Sequence, residues 1–211
     1  VIIGLGVSGF IAAKTAKKVN PDAQITIIDQ KEYDMFSACG LPFVMEGVID
    51  KFDELIHSLP LEKMNMVKLL KHRAVSIDPE NMVVTAVDME TSEEKTIPYD
   101  SVIIATGCFP FIPPIPGAHE LLNKGIFVVS NPENAKQIVD YSKDISCAVV
   151  VGAGAIGLET AAAIAAHNID VTVVEMLSHA FPRAIDPDIA RVLERSLKKS
   201  GIKLMMSATV E

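Results

Sequence analysis

Val1-Ile2-Ile3-Gly4-Leu5-Gly6-Val7-Ser8-Gly9 opens the chain. Three β-branched apolar residues read as a buried strand, and the glycines that follow read as a tight strand-to-helix turn. The helix is predicted over residues 7–19, because Asn20-Pro21-Asp22 cannot continue it. Residues 24–28 are again apolar and β-branched, so they read as a second strand, which ends at Asp29. From Gly9 to Asp29 is 20 residues. That is a complete βαβ unit of the dinucleotide-binding kind. Gly4 makes the turn, Gly6 lets backbone approach a pyrophosphate, and Gly9 lets helix pack on strand. Val7 and Ser8 then present the helix N-terminus to the phosphates, and Asp29 accepts from ribose hydroxyls.

The pattern recurs once. Residues 148–151 read as a strand, Gly152-Ala153-Gly154-Ala155-Ile156-Gly157 as the turn, residues 158–166 as an alanine-rich helix, and residues 171–174 as the next strand, ending at Glu175. The two turns lie 148 residues apart, from Gly4 to Gly152. A chain with two dinucleotide turns has places for a donor and an acceptor cofactor. The fold class expected is α/β, with two Rossmann-like three-layer nucleotide-binding domains, both truncated. Residues 1–108 form the first and residues 118–211 the second. The chain begins inside a strand without Met and stops after the second domain's third strand, so it reads as a fragment.

The intervening sequence has another texture. Residues 41–47 begin a helix with Pro42 in its first turn, where proline is tolerated. Residues 50–71 read as helical or mixed, with no clear period. Residues 72–77, 82–88 and 95–97 read as short strands joined by turns, a meander. Residues 101–105 and 126–129 read as strands, Asn131 as the cap of a helix with Pro132 at its first position, and residues 188–200 and 202–205 as a helix and strand. Residues 109–117 hold four prolines, Pro110, Pro113, Pro114 and Pro116, and read as an inter-domain crossing.

Composition removes several function classes. Apolar residues make up 49% of the chain, enough for a core and too many for disorder. No apolar run approaches the ~20 residues of a membrane span. Net charge is −8 with no basic block, which argues against nucleic acid. Three cysteines, Cys39, Cys108 and Cys147, make no secreted disulfide framework, and the reading is cytoplasmic. His57, His72, His119 and His167 form no metal spacing.

Ser37-Ala38-Cys39-Gly40-Leu41-Pro42-Phe43 offers one cysteine at the mouth of the predicted helix. A helix N-terminus favours the reactive thiolate. Together with Gly4–Gly9 and Asp29, Ala105-Thr106-Gly107, the proline-rich crossing, and Gly152–Gly157 with Glu159 and Glu175, this stretch resembles the pyridine nucleotide-disulfide oxidoreductases. Within them it is most similar to the single-cysteine branch of coenzyme A disulfide reductases, NADH oxidases, NADH peroxidases and persulfide reductases. The resemblance covers essentially the whole chain.

It implies FAD at the first loop, NAD(P)H at the second, and a homodimer in the full-length protein. It makes Cys39 the catalytic residue, acting on a small thiol, disulfide or persulfide. For FAD it implies contacts from Gly4, Gly6, Val7, Ser8, Gly9, Asp29, Gln30, Ala105, Thr106 and Gly107, with Val75 at a strand position that touches adenine. For the nicotinamide nucleotide it implies Gly152, Gly154, Ile156, Gly157, Glu159 and Glu175. A carboxylate at Glu175 repels a 2′-phosphate, so NADH is expected ahead of NADPH. Glu159 has a second reading, simple complementarity to the helix dipole. Lys17 and Lys18 match a basic pair that meets coenzyme A phosphates, and they equally suit a solvated helix end.

Departures narrow the chemistry. The paired-cysteine form needs a partner five positions away, where Asp34 and Val44 stand. Cys39 therefore cycles through a mixed disulfide or a sulfenic acid. NADH peroxidases carry histidine where this chain has Val7. Met35 and Ala38 replace a serine and an asparagine usual in coenzyme A disulfide reductases. Cys108 and Cys147 read as linker or core thiols. Three readings follow: a disulfide or persulfide reductase, an NADH oxidase, and a nucleotide-binding fragment without catalysis.

Overall fold

β1 (Ile2–Ile3) has parallel partners on both sides, which is why it is apolar throughout. The computed structural model describes all 211 residues, Val1–Glu211. They form two compact units, Val1–Ser37 with Ile56–Cys108, and Ala38–Leu55 with Phe109–Glu211.

In the first unit α1 (Val7–Val19) returns the chain to β2 (Ile25–Ile28), whose Ile27 and Ile28 lie in register with Ile2 and Ile3. Then come β3 (Met35–Phe36), antiparallel to β4 (Ile56–His57), and β5 (Met66–Leu69), parallel to β2. β6 (His72–Asp78), β7 (Val83–Asp88) and β8 (Glu94–Pro98) form the antiparallel meander expected from sequence. β9 (Ile103–Ile104) completes a four-stranded sheet in the order β5-β2-β1-β9. One sheet face buries Leu5, Ala13, Ile27 and Leu61 with the α1 side. The other packs Ile3 and Ile28 on Val84 and Ala86 of the meander. The unit thus has three layers, helix, parallel sheet and meander.

The two meander turns are held by carboxylates. Asp78 lies below the usual carboxylate range because the Asn81 side chain and backbone donate to it. Asp88 is lowered by the backbone N–H groups of Glu90 and Thr91. Depressed pKa values mean the stabilisation is present above the ordinary range and lost as pH falls through the folded-state values. Acidification should therefore lower the hydrogen-exchange protection factors of the Glu80, Asn81, Glu90 and Thr91 amides, with little change near neutral pH.

In the second unit β10 (Cys147–Val151), β11 (Asp170–Glu175) and β12 (Lys203–Met206) form a parallel sheet. α4 (Ala155–Ala165) lies on β10 and β11, and α5 (Pro187–Lys199) on β12. α3 (Pro132–Ser142) starts as expected: Asn131 Oδ1 accepts from Asn134 N at 2.8 Å. α2 (Leu41–Glu46) belongs to this unit and packs on α4 and α3.

Three sequence expectations change. Ala38–Leu55 groups with the second unit and not the first, because α2 buries Leu41, Val44 and Met45. Residues 126–129 form no strand. Ile126 N donates to Leu121 O and Asn123 N to Ile126 O, so the segment closes on its own turn at Gly125. Residues 50–71 resolve into 3-10 turns at Phe52–Leu55 and Glu62–Met64 and the strands β4 and β5. No helix is long and apolar enough to cross a membrane.

Candidate active site

The first glycine turn is fixed by close backbone approach. Gly4 has φ +107°, and a Cβ there would collide with the Ala105 carbonyl oxygen and sit 2.6 Å from its carbon. Ala105 is brought there by β9, its N–H donating to Ile3 O at 2.7 Å. Gly9 lies against Gly4 O and has no room for a side chain. A Cβ at Gly6, by contrast, meets nothing within 4 Å. α1 starts with no capping side chain and no acid in its first turn, while Val7 and Ser8 are exposed. Uncapped amides beside open space fit an anionic pyrophosphate.

Asp29 is engaged with the loop itself. Its Oδ2 accepts from Leu5 N at 2.6 Å and from Lys31 Nζ at 2.6 Å, and its Oδ1 from Lys31 N at 2.9 Å. A carboxylate has about four acceptor positions, so capacity for a ribose hydroxyl remains. Gln30 beside it is exposed. Lys31 was not singled out by sequence reasoning; nothing in a lysine two residues past the acid distinguishes it before folding. Val75 sits at a β-bulge, where the register steps between Ala74 and Ser76, and is half exposed. Thr106 and Gly107 follow β9, Gly107 with φ +73°.

The second turn repeats the design. Gly152 has φ +98°, Gly157 lies against Gly152 O, and Cβ atoms at Gly152 and Gly154 would meet nothing within 4 Å. Again no side chain caps the helix and its first turn holds no acid, and Ile156 is exposed. Glu175, 7% exposed, accepts Ala153 N and Leu177 N, each at 2.8 Å. Glu159 is the fifth residue of α4 and exposed, one turn later than the sequence placed it. That weakens its reading as a dipole complement, an effect confined to the first turn. Removing the Glu175 carboxylate leaves the buried Ala153 amide unpaired. Glu175→Ala should cost about 1–3 kcal/mol of stability, read in urea unfolding, and should weaken NADH binding in titration.

Cys39 is exposed on the 3-10 turn Ala38–Gly40 that leads into α2. A Cβ at Gly40 would meet the end of the Leu55 side chain, which would have to shift to admit it. Gly47, at φ +88°, ends α2 and donates to Val44 O at 3.1 Å. His167 Nε2 lies 2.6 Å from Met45 O, tying α2 to the end of α4. Two residues before Cys39, Ser37 Oγ lies 2.7 Å from His57 Nε2. Neither histidine showed a role in the sequence, since each partner comes from a distant segment. Cys108 and Cys147 are free and exposed, so Cys147 is not a core thiol; it stands at the outer start of β10. Lys17 Nζ donates to Pro21 O at 3.0 Å, closing the end of α1, and Lys18 lies in the same last turn. No group of His, Cys, Asp and Glu is arranged to hold a metal.

Comparison with known proteins gives the family. Residues 1–211 match the pyridine nucleotide-disulphide oxidoreductase family. The chain belongs to that family. It is 37% identical, over all of its length and 47% of the relative, to an NADH oxidase of Methanocaldococcus jannaschii. It is 29% identical to an NAD(P)H coenzyme A polysulfide/persulfide reductase of Pyrococcus horikoshii, over 94% of this chain and 44% of that one. Among solved structures it is similar to an NAD-dependent persulfide reductase from A. fulgidus, with TM-score 0.90 and 30% identity over 100% of this chain and 40% of that chain. A water-forming NADH oxidase from Lactobacillus brevis, bound to NADH, superposes with TM-score 0.89 at 27% identity, over 100% of this chain and 46% of that chain. The chain therefore spans about half the length of the family members it matches. The α/β fold with two Rossmann-like units is that of these solved structures.

Proposed function

We propose that the chain is the nucleotide-binding part of an FAD-dependent NAD(P)H oxidoreductase that reduces a small disulfide or persulfide through Cys39. The observation carrying this reading is an exposed single thiol on the turn before α2, in a chain with two uncapped glycine turns. The names of the persulfide-reductase relatives support the substrate class. FAD belongs at Gly4–Gly9 with Asp29, and the nicotinamide nucleotide at Gly152–Gly157. Glu175 favours NADH over NADPH there, because its carboxylate repels a 2′-phosphate.

Cys39 thiolate attacks one sulfur of the substrate, forming a mixed disulfide and releasing the other sulfur as a thiolate. Two electrons reopen the new bond, giving Cys39 thiolate and the second product thiolate. FAD, when bound, supplies the relay that brings those electrons from NADH. The chain's own residues orient and exclude: the glycine turns hold pyrophosphates, the acids hold ribose, and α2 presents the sulfur. The working enzyme is a homodimer in the cytoplasm, acts on a small molecule, and binds neither nucleic acid nor membrane. Coenzyme A disulfide is one candidate substrate, with Lys18 free of the contact that occupies Lys17.

A second reading is favoured by the 37% and 30% identities to NADH oxidases. Oxygen is then the acceptor: two electrons and two protons take it to hydrogen peroxide, Cys39 thiolate takes one oxygen from that peroxide as sulfenic acid, releasing hydroxide, and two further electrons and a proton return it to thiolate and water. The full-length protein decides between them. NADH consumption that needs added disulfide supports the first reading. Oxygen uptake without disulfide, lost in Cys39→Ser, supports the second. A colourless protein that binds NADH and turns over neither would overturn both.

A further inference from the structure

The two glycine turns are anchored by the same three points, and the third point is filled differently. In each, the acid accepts the N–H of the residue after the first glycine: Asp29 from Leu5 at 2.6 Å, Glu175 from Ala153 at 2.8 Å. In each, the acid's other oxygen accepts the backbone N–H two residues further on: Lys31 at 2.9 Å, Leu177 at 2.8 Å. What differs is the carbonyl of the loop residue. Ala153 O accepts the backbone N–H of Phe181 at 2.8 Å. Leu5 O accepts the ammonium of Lys31 at 3.2 Å. Both loop residues are fully buried, so a carbonyl left without a donor is costly.

We propose that Lys31 is a positioning residue for the first nucleotide turn, holding the Leu5 peptide and Asp29 together with one side chain. Its ammonium touches both the Leu5 carbonyl and the Asp29 carboxylate, and lies over the Tyr33 ring, 5.8 Å from the centroid. The first turn is thus pinned by a charge and the second by a backbone amide. Two consequences separate them. The Lys31 side chain is 25% exposed, so the first anchor is partly screened by salt. The first site also carries a neutralised acid, while no cation lies within salt-bridge distance of Glu175. Binding at the first turn is therefore weakened by ionic strength through its anchor as well as through the ligand.

The inference rests on the reading of the first turn as the FAD site, and the test keeps the two apart. In the full-length protein, FAD titrated into apoprotein by flavin fluorescence should bind Lys31→Met about tenfold more weakly than wild type. Lys31→Arg should stay within about threefold of wild type, because a guanidinium donates to both acceptors. NADH affinity at the second turn should not change. Independently of any cofactor, hydrogen exchange of the peptide containing Leu5 should quicken in Lys31→Met, while the peptide containing Ala153 keeps its protection. Equal FAD affinity in wild type and Lys31→Met would overturn the role of Lys31, as would unchanged exchange at Leu5. Loss of exchange protection at both turns would overturn it too, since Lys31 would then act on folding in general. A wild type that binds no FAD would instead overturn the cofactor reading, leaving the exchange result to judge Lys31.

Discussion

Cys39→Ser in the full-length protein is expected to abolish disulfide-dependent NADH consumption while leaving the protein folded and able to bind its nucleotides. The fall should be about a thousandfold or more, because a serine hydroxyl is not ionised near neutral pH and cannot form the mixed disulfide. The fold should tolerate the change: Cys39 is exposed, forms no disulfide, and sits on a short turn that buries nothing. The enzyme should still pass electrons from NADH to an artificial one-electron acceptor, since that route bypasses sulfur. Steady-state assays with both acceptors measure the two rates. Equal loss with both acceptors would mean that Cys39 supports the fold and not the chemistry.

Gly4→Ala should be among the most disruptive single methyl additions in the chain. Two costs add at that position. The backbone sits at φ +107°, outside the range of an L side chain, which is worth about 1–3 kcal/mol. The new carbon also runs into the Ala105 carbonyl, backbone on β9 that cannot turn aside, for about another 1–3 kcal/mol. Gly152→Ala isolates the first cost. Gly152 has φ +98° in the matching turn, with no atom within 4 Å of an added Cβ. Urea unfolding should therefore show Gly4→Ala losing about 2–6 kcal/mol against about 1–3 kcal/mol for Gly152→Ala. Equal losses would show that strain alone, and not the approach of β9, makes Gly4 necessary.

Both glycine turns were legible because three signals agree at each: a β-branched strand, fixed glycine spacing, and an acid closing the second strand. Helix ends followed from local chemistry, Asn20-Pro21 after α1 and Asn131-Pro132 before α3. Residues 50–71 were not legible, since two-residue strands and single 3-10 turns are too short to show a period. Residues 126–129 have strand composition, yet Gly125 lets them fold back on Leu121 before a sheet is reached. The grouping of Ala38–Leu55 with the second unit depends on α2 burying its apolar face there, a choice of partner no local signal carries. The same holds for the site. Cys39 and the acids are visible in the sequence. The Lys31, His167 and Phe181 contacts that hold their surroundings are tertiary pairings across 26, 122 and 28 residues: 31 − 5, 167 − 45 and 181 − 153.

In the proposed reaction, electrons entering from NADH leave at the Cys39 sulfur. An anaerobic NADH titration of the full-length, disulfide-treated protein tests it most directly, following flavin absorbance in wild type and in Cys39→Ser. Wild type should take up one more equivalent of NADH than the variant before its flavin is fully bleached, because the mixed disulfide must be reduced first. Identical equivalence points for the two proteins would contradict it.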